Sequence, residues 1–156
     1  MRLNALRILS LSAMLGGSVF GADSRLADAV QRDDKVAVRS LVADRANINV
    51  PQSDGTTALH WAVRHDDLTT ADLLIKAGAD VKAANRYGLT PIQLAASNGH
   101  AAMIEKLLAA GVDANFANPG GETVLMTAAR TGNADAIRLL LASGANVNAK
   151  ESERGQ

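Results

Sequence analysis

The sequence contains no cysteine, which excludes disulfide bonds, thiolate zinc sites, iron–sulfur clusters and cysteine nucleophiles. Aromatic residues are almost as scarce, with one Trp, one Tyr and two Phe. Leu, Ala, Val and Ile must therefore build the core, and such small aliphatic side chains suit thin, closely stacked helices. A net charge is also missing, because 16 Lys and Arg balance 16 Asp and Glu. Nucleic acid or an anionic membrane would call for a basic face, and the balanced charge argues against one, so neither is expected as a partner.

The start of the chain has the layout of a secretory signal peptide. Two arginines precede a mostly apolar stretch without charged residues, 8–20. At about 1.5 Å per residue this stretch spans about 20 Å, which is shorter than the ~30 Å hydrocarbon core of a membrane. Val19 and Gly21 occupy the −3 and −1 positions of a cleavage site before Ala22. Residues 1–21 are therefore predicted to be a signal peptide, with an N-terminal membrane anchor or a buried helix as the alternative.

The rest of the chain repeats itself with a period of 33 residues, and such periods are typical of solenoid proteins. Five columns of identical residues carry the period: Gly55, Gly88 and Gly121; Thr57, Thr90 and Thr123; Gly78, Gly111 and Gly144; Leu41, Leu74, Leu107 and Leu140; and Ala29, Ala62, Ala95 and Ala128. Chance coincidence of five columns is excluded in practice, so each period is treated as one structural unit.

Each unit is predicted to be a pair of short helices. Apolar residues recur at i, i+3 and i+4, as in Leu59, Ala62 and Val63, which is the spacing of one helix face. In the last three units the recurring Thr is a candidate N-cap, and the recurring Gly after the second helix is a candidate left-handed terminator. The first unit has Arg45 in place of this Gly. Thr90 and Gln93 have the spacing of a capping box. Helices this short do not persist alone in water, so stacking of neighbouring units must stabilise them.

At these residues the chain resembles the ankyrin-repeat family. The segment 88–96 reads Gly-Leu-Thr-Pro-Ile-Gln-Leu-Ala-Ala, and 57–62 reads Thr-Ala-Leu-His-Trp-Ala. The similarity extends over residues 24 to 156, although the first unit matches only in its helical half. A tetratricopeptide array fits less well, because its period is about 34 residues and it needs large aromatic positions.

The resemblance implies an all-α repeat fold, namely an ankyrin-type solenoid of helix-turn-helix pairs with projecting β-hairpin loops. It divides the mature chain into an N-terminal capping ankyrin-like repeat, 22–51, three ankyrin repeats, 52–84, 85–117 and 118–150, and the opening of a truncated fifth repeat, 151–156. Leu140 and Leu141 are then predicted to lack cover, as in the front part of a longer array.

The resemblance also implies where a partner would bind, because ankyrin stacks use the hairpin tips and the exposed edge of the first helices. The tip positions are Ser53, Asp54, Thr56, Arg86, Tyr87, Leu89, Pro119, Gly120 and Glu122. The groove positions are Arg64, His65, Ser97, Asn98, Arg130 and Thr131. Tyr and Arg most often dominate interface energies, so Tyr87, Arg86, Arg64 and Arg130 are the expected anchors.

No catalytic, metal-binding or cofactor-binding site is expected. His60 lies where the family uses a histidine to bond the loop at the helix start, and His100 lies at an interhelical turn, so both are interpreted as structural. His65 is interpreted as a contact residue. The acidic pairs 33–34 and 66–67 are interpreted as turn caps rather than as a catalytic carboxylate pair. Trp61 is either a binding hot spot or a side chain partly buried against the next repeat.

The sequence therefore predicts a non-catalytic, monomeric scaffold that binds another protein. The signal peptide indicates an exported protein without a stable membrane anchor after cleavage, either periplasmic in a Gram-negative bacterium or secreted. The alternative is that these residues form the N-terminal interaction part of a longer enzyme whose catalytic domain lies beyond residue 156. Fold alone does not name the partner.

We expect the mature protein to begin at Ala22, because Val19 and Gly21 supply the small side chains that signal peptidases accept. N-terminal sequencing of the exported protein checks this, and Gly21→Leu should block or move the cleavage. A soluble cytoplasmic pool that retains Met1 would contradict both the cleavage site and the export.

Overall fold

A computed structural model of the chain describes residues 23–44 and 46–151. Within these ranges the chain forms eight α-helices: α1 (Arg25–Gln31), α2 (Lys35–Ala43), α3 (Ala58–Arg64), α4 (Leu68–Lys76), α5 (Pro91–Asn98), α6 (Ala101–Ala109), α7 (Val124–Thr131) and α8 (Ala134–Ala142). The predicted signal peptide and residues 152–156 of the predicted fifth repeat lie outside the described residues.

The helices stack in two layers. The odd-numbered helices form one layer, in which α3 packs on α1, α5 on α3 and α7 on α5. In the other layer α6 packs on α4 and α8 on α6, and each odd helix also packs on the even helix that follows it. This arrangement confirms the predicted all-α solenoid of helix pairs.

The core lies between the layers and runs the length of the stack. The 33-residue columns supply it, since Leu74, Leu107 and Leu140 are all 0% exposed. Ile92 and Ile104 fill the middle of the stack and are also 0% exposed. Burial of one such side chain contributes roughly 1.5–3 kcal/mol, so the aliphatic columns supply much of the driving force for folding.

The first helix of each full repeat begins at the predicted Thr. Thr57, Thr90 and Thr123 are N-cap residues with extended backbone, and Thr123 accepts a 3.2 Å hydrogen bond from the Met126 amide. The predicted Thr90–Gln93 capping box is wrong. The Thr90 hydroxyl donates to Gln93 Oε1 at 3.4 Å, so the side chains bond to each other instead of to the backbone amides.

The turns within the helix pairs use a left-handed residue at one column. Asp33 and Asp66 have φ of 58° and 52°, and the corresponding Gly99 and Gly132 have φ of 73° and 71°. Aspartate tolerates this region better than most residues, so the predicted role of the acidic pairs in these turns is confirmed. The side chain of the residue that follows caps α2, α4 and α8; in α4, for example, Asp67 accepts from the Thr70 amide at 3.0 Å. In α6 the corresponding His100 makes no such hydrogen bond.

Asp67 also joins the first two repeats. Burial by itself raises the pKa of this carboxyl, but hydrogen bonds from the Lys35 ammonium and from Thr70 outweigh it and hold the pKa of Asp67 at about 2. The ion pair crosses from the start of α2 to the start of α4. Asp67 is therefore ionised at neutral pH and holds the starts of α2 and α4 together.

The loops between repeats are tight turns rather than β-strand hairpins. Each is closed by a pair of backbone hydrogen bonds, such as Asn85 N–H to the Leu89 carbonyl at 3.0 Å and Gly88 N–H to the Asn85 carbonyl at 2.9 Å. In the described ranges the only β pairing is one antiparallel bridge between Ala117 and Thr123. For brevity we call these tight turns hairpin 2 (52–56), hairpin 3 (85–89) and hairpin 4 (118–122), each numbered by the repeat that it opens.

The last helix pair differs from the prediction at one position. Leu140 was expected to lack cover, but it is 0% exposed because α8 packs on both α6 and α7. Leu141 is 41% exposed and Val147 66% exposed, as expected for an outer face. Ala129 is exposed too, whereas Ala96 in the same column of the preceding repeat is completely buried.

We expect the amides of α8 to exchange with solvent faster than those of α6, because stability in a repeat array comes largely from the interfaces between neighbours. Among the described residues α6 has α4 and α8 on its two sides, whereas α8 has only α6 in its layer. Hydrogen exchange followed by mass spectrometry measures the difference. The α5–α6 pair of the same protein is the reference against which the exchange of α8 is compared. Equal protection of α6 and α8 would contradict the argument.

Candidate functional site

Hairpins 2 and 3 lie against each other on the side of the odd-numbered helices. The Arg86 amide donates to the Asp54 carbonyl at 2.8 Å, and the Arg86 guanidinium donates to the Ser53 carbonyl. Gly55 makes this approach possible, because a Cβ atom there would lie 3.0 Å from Asn85 Cα. Gly55 also has φ of 83°, which other residues rarely adopt. The two loops therefore form one fixed surface.

Most of the predicted tip residues lie at the surface. Tyr87 is 74% exposed and Leu89 37% exposed. Ser53, Arg86, Pro119 and Gly120 are also exposed, and Asp54 and Glu122 are half-buried. Thr56 lacks the exposure expected of a tip residue, because it is only 8% exposed. The chain turns inward at Thr56 to begin α3, and its amide donates to the Asp54 carboxylate at 2.9 Å.

The predicted groove positions all lie at the exposed ends of the odd-numbered helices. All six of them are exposed: Arg64, His65, Ser97, Asn98, Arg130 and Thr131. Thr131 is partly occupied, since its hydroxyl donates to the Ala128 carbonyl at 2.9 Å. The exposure required of contact residues is thus present, and their role in binding stays a prediction.

A cleft of about 160 Å³ lies between α3, the start of α5 and hairpin 3. Its lining residues are Asp54, Thr56, His60, Trp61, Arg64, Asn85, Tyr87, Leu89 and Leu94. The cleft contains five of the predicted contact residues: Asp54, Thr56, Arg64, Tyr87 and Leu89. It also contains Trp61, for which a binding hot spot is one of the two interpretations, and Leu94. Leu94 was not predicted, although its position 33 residues after Trp61 places it on the same helix edge.

Trp61 stands in the wall of the cleft, half-buried. Its indole Nε1–H donates to Gln52 Oε1 at 2.8 Å, which fixes the ring. The Arg64 guanidinium lies 5.4 Å from the ring centroid, within the range of a cation–π contact. The His65 ring centroid is 6.1 Å away. Partial burial is thus confirmed for Trp61, and one edge of its ring remains available in the cleft.

His60 forms part of the cleft lining and joins two repeats. The Leu89 carbonyl can only accept, so His60 Nε2 carries the proton and donates to it at 3.0 Å. Nδ1 is then the acceptor for the Thr57 amide at 3.2 Å and the Thr57 hydroxyl at 2.8 Å. Both ring nitrogens are used, which confirms the structural interpretation. Burial lowers the pKa of His60 below its ordinary value, so the ring is neutral near pH 7.

His100 is also structural. Its Nδ1 lies 3.1 Å from the Val63 carbonyl, within hydrogen-bond distance, and 3.6 Å from the Asp66 carboxylate. His100 therefore links the third repeat to the second and is half-buried there. In the same column of the next repeat, Asn133 makes the corresponding link by donating to the Gly99 carbonyl at 2.6 Å.

The two remaining anchors are engaged inside the protein. Arg86 bonds the Ser53 carbonyl, and Arg130 forms a 2.6 Å ion pair with Glu122. The Glu122 carboxylate also accepts from the Thr127 hydroxyl at 3.0 Å. Arg64 differs from both, because its guanidinium has neither a hydrogen bond nor an ion pair with another described residue and lies over the Trp61 ring instead.

Neither a metal site nor a membrane-spanning helix is found in the described ranges. No group of three or more His, Asp or Glu residues there is placed to hold a metal ion. No helix among α1 to α8 is long and apolar enough to cross a membrane.

We expect acid to destabilise the protein through His60. The folded pKa is depressed while the unfolded pKa stays near 6.5, so the unfolded chain binds the extra proton first. The contribution of His60 is thus present above about pH 6.5 and is lost as the pH falls through the folded pKa. His60→Gln, which copies Gln93 of the next repeat, should show a smaller drop in melting temperature between about pH 7.5 and about pH 5.

His65→Gln is the matched control, because it removes an exposed histidine at the other end of the same helix and leaves the buried ring in place. This variant should keep the acid-induced loss of the unaltered protein. A curve for His60→Gln that overlays that of the unaltered protein would refute the assignment of the acid sensitivity to His60.

Comparison with known proteins agrees with the geometry. No curated protein matches the chain. The family model described as ankyrin repeats in three copies matches residues 21–85 and 78–151, which together cover all eight helices. Members of this family are generally protein-interaction modules and typically non-catalytic. The matched repeats, the paired helices and the projecting turns place this chain in the ankyrin-repeat family.

Proposed function

We propose that the chain is an exported, monomeric scaffold that binds a partner protein through hairpins 2 to 4 and the exposed edge of α3, α5 and α7. The observation that carries the proposal is the cleft beside Tyr87, where exposed aromatic, aliphatic and basic side chains meet on a fixed backbone. Aromatic and arginine side chains of this kind supply most of the binding energy in protein interfaces.

The size of the cleft supports a macromolecular partner. Pockets for small molecules usually have volumes of roughly 300–1,000 Å³, whereas this cleft has about 160 Å³. A single side chain of a partner fits such a volume better than a whole metabolite does. The exposed groove positions continue from Arg64 to Arg130 across three repeats, which gives a partner further contacts on either side.

The rigidity of the loops supports binding as well. Hairpins 2 and 3 are each closed by backbone hydrogen bonds and are tied to each other through Arg86. A surface ordered before binding loses little conformational entropy when the partner arrives. Tyr87 therefore sits on a loop that does not need to fold on contact.

Export and the monomeric state are parts of the proposal that rest on other observations. The basic start and the following apolar stretch, 8–20, support export. The balanced charge and the polar side chains along the groove support a monomer that meets its partner reversibly.

The proposal is tested by placing a photocrosslinking amino acid at Tyr87 in the full-length exported protein. We expect a discrete crosslinked partner from Tyr87 and none from Ala102, an exposed residue of α6 on the opposite side. Identical crosslinks from both positions, or none from Tyr87 and from Arg64, would move the site elsewhere.

With the crosslinked partner purified, Tyr87→Ala should weaken binding by roughly 1–2 kcal/mol, because exposed aromatic anchors contribute on this scale. The melting temperature should hardly change, since Tyr87 is 74% exposed and has no packing role. Calorimetry measures the affinity. Val36→Ala, which changes an exposed residue of α2, is the control. An unchanged affinity for the triple variant with alanine at Arg64, Tyr87 and Arg130 would contradict the proposal.

A further inference from the structure

The exposed ends of the odd-numbered helices carry basic side chains and no acidic ones. Each repeat places two residues at the exposed end of its odd-numbered helix, and all eight are exposed: Gln31, Arg32, Arg64, His65, Ser97, Asn98, Arg130 and Thr131. Three of them are arginine and one is histidine, and none is acidic. These eight positions therefore form a basic row, although acidic residues lie beside it.

Three carboxylates beside these positions contact other groups. Asp54 lines the cleft and accepts a 2.9 Å hydrogen bond from the Thr56 amide. Asp33 and Asp66 follow the two groove positions in the first and second repeats. Asp33 pairs with Lys35 at 2.5 Å, and the Asp66 carboxylate lies 3.6 Å from His100. Arg32 and Arg64 have no carboxylate of the described chain within 4.0 Å. Their charge is therefore available to a ligand.

The face formed by the even-numbered helices lacks this bias. Its charges pair with each other, as in Lys106 with Asp72 at 3.1 Å and Arg138 with Asp135 at 2.7 Å. Lys76 also pairs with Asp72 at 2.6 Å. Arg39 of α2 is exposed and has no carboxylate of the described chain within 4.0 Å, so an unpaired cation also occurs on this face. What distinguishes Arg64 is the cleft beside it.

The cleft adds an apolar element to the basic row. Trp61 and Leu94 come from successive odd-numbered helices, and Tyr87 and Leu89 come from hairpin 3. Arg64 stands over the Trp61 ring at the edge of the same cleft. A ligand that fills the cleft with an apolar side chain would place its neighbouring residues beside Arg64 and His65.

Resting on the proposed function, we infer that the partner presents an extended acidic segment. One bulky apolar side chain of that segment enters the cleft between Trp61, Tyr87 and Leu94, and acidic residues beside it contact Arg64 and its basic neighbours in the groove. Opposite charge favours the encounter, and the apolar side chain fixes the register.

A nucleic acid fits the same row less well. The phosphate backbone offers a charge at every nucleotide, whereas the third repeat contributes only Ser97 and Asn98, and Arg130 is already paired with Glu122. The basic row is thus interrupted where a phosphate backbone would need it to continue. An acidic peptide needs only one or two charged contacts beside its anchor.

The test uses the full mature protein and three capped peptides that share a central Leu. The first has Glu on both sides of the Leu, the second has Gln there, and the third has Lys. A dye on the peptide reports affinity through its anisotropy. The emission of Trp61, the only tryptophan of the chain, reports whether the cleft is occupied.

We expect the Glu peptide to bind roughly fivefold or more tightly than the Gln peptide at low salt, because exposed ion pairs each contribute modestly and two or three act together. The Lys peptide should bind more weakly still. The preference should shrink in about 0.5 M salt, which screens exposed charges. The Glu peptide should change the Trp61 emission, and replacing its Leu by Ala should abolish that change.

Two variants locate the effect. Arg64→Glu should remove or reverse the preference for the Glu peptide. Arg39→Glu makes the same charge change on exposed α2 at the opposite face and should keep the preference. A single-stranded oligonucleotide serves as the polyanion control and should bind more weakly than the Glu peptide.

The inference is overturned if the three peptides bind equally, if none binds, if the oligonucleotide binds as tightly, or if Arg64→Glu and Arg39→Glu behave alike. Crosslinking of a native partner at Tyr87 would leave the proposed protein-binding function standing in each of these cases. Loss of that crosslink together with peptide binding would reject both.

Discussion

The stack depends on one column of small residues where the odd-numbered helices meet. Ala29, Ala62, Ala95 and Ala128 occupy this column and are at most 1% exposed. A methyl side chain lets successive helices approach closely, and a larger one would force apart well-packed neighbours at a cost of roughly 1–3 kcal/mol. Since each repeat contacts only its neighbours, the same constraint returns at every level of the stack.

The polar links between repeats are less uniform than the apolar columns. His60 reaches the Leu89 carbonyl, His100 lies within hydrogen-bond distance of the Val63 carbonyl, and Asn133 reaches the Gly99 carbonyl. Lys35 joins its neighbouring repeat by an ion pair with Asp67 instead. Different side chains thus meet the same need, which is to give each loop a partner in the next repeat. Among the described residues no buried side-chain polar atom is left without a hydrogen bond.

The sequence predicted the columns well and individual side chains less well. Periodicity identified the helix pairs, the N-cap threonines and the left-handed turns, because each depends on residues within one repeat. Three errors have a common origin: the expected exposure of Thr56, the capping box predicted at Gln93, and the lack of cover predicted for Leu140. In each case the burial or the bonding of the side chain depends on the local turn of the chain or on the neighbouring residue that covers it. The alignment of the 33-residue repeats carries no information about either. The cleft was missed as a unit because it needs residues from two repeats at once.

This shared origin of the cleft links binding to stacking. Trp61 belongs to the second repeat, whereas Tyr87, Leu89 and Leu94 belong to the third. A ligand side chain that enters the cleft would contact both repeats. Its binding site would be present only while the two repeats remain stacked. Such a ligand binds the folded stack and not the separated repeats, so its binding adds to the free energy that holds the two repeats together. His60, which joins the same two repeats from the lining of the cleft, would then be stabilised in its neutral, doubly bonded state by the same ligand.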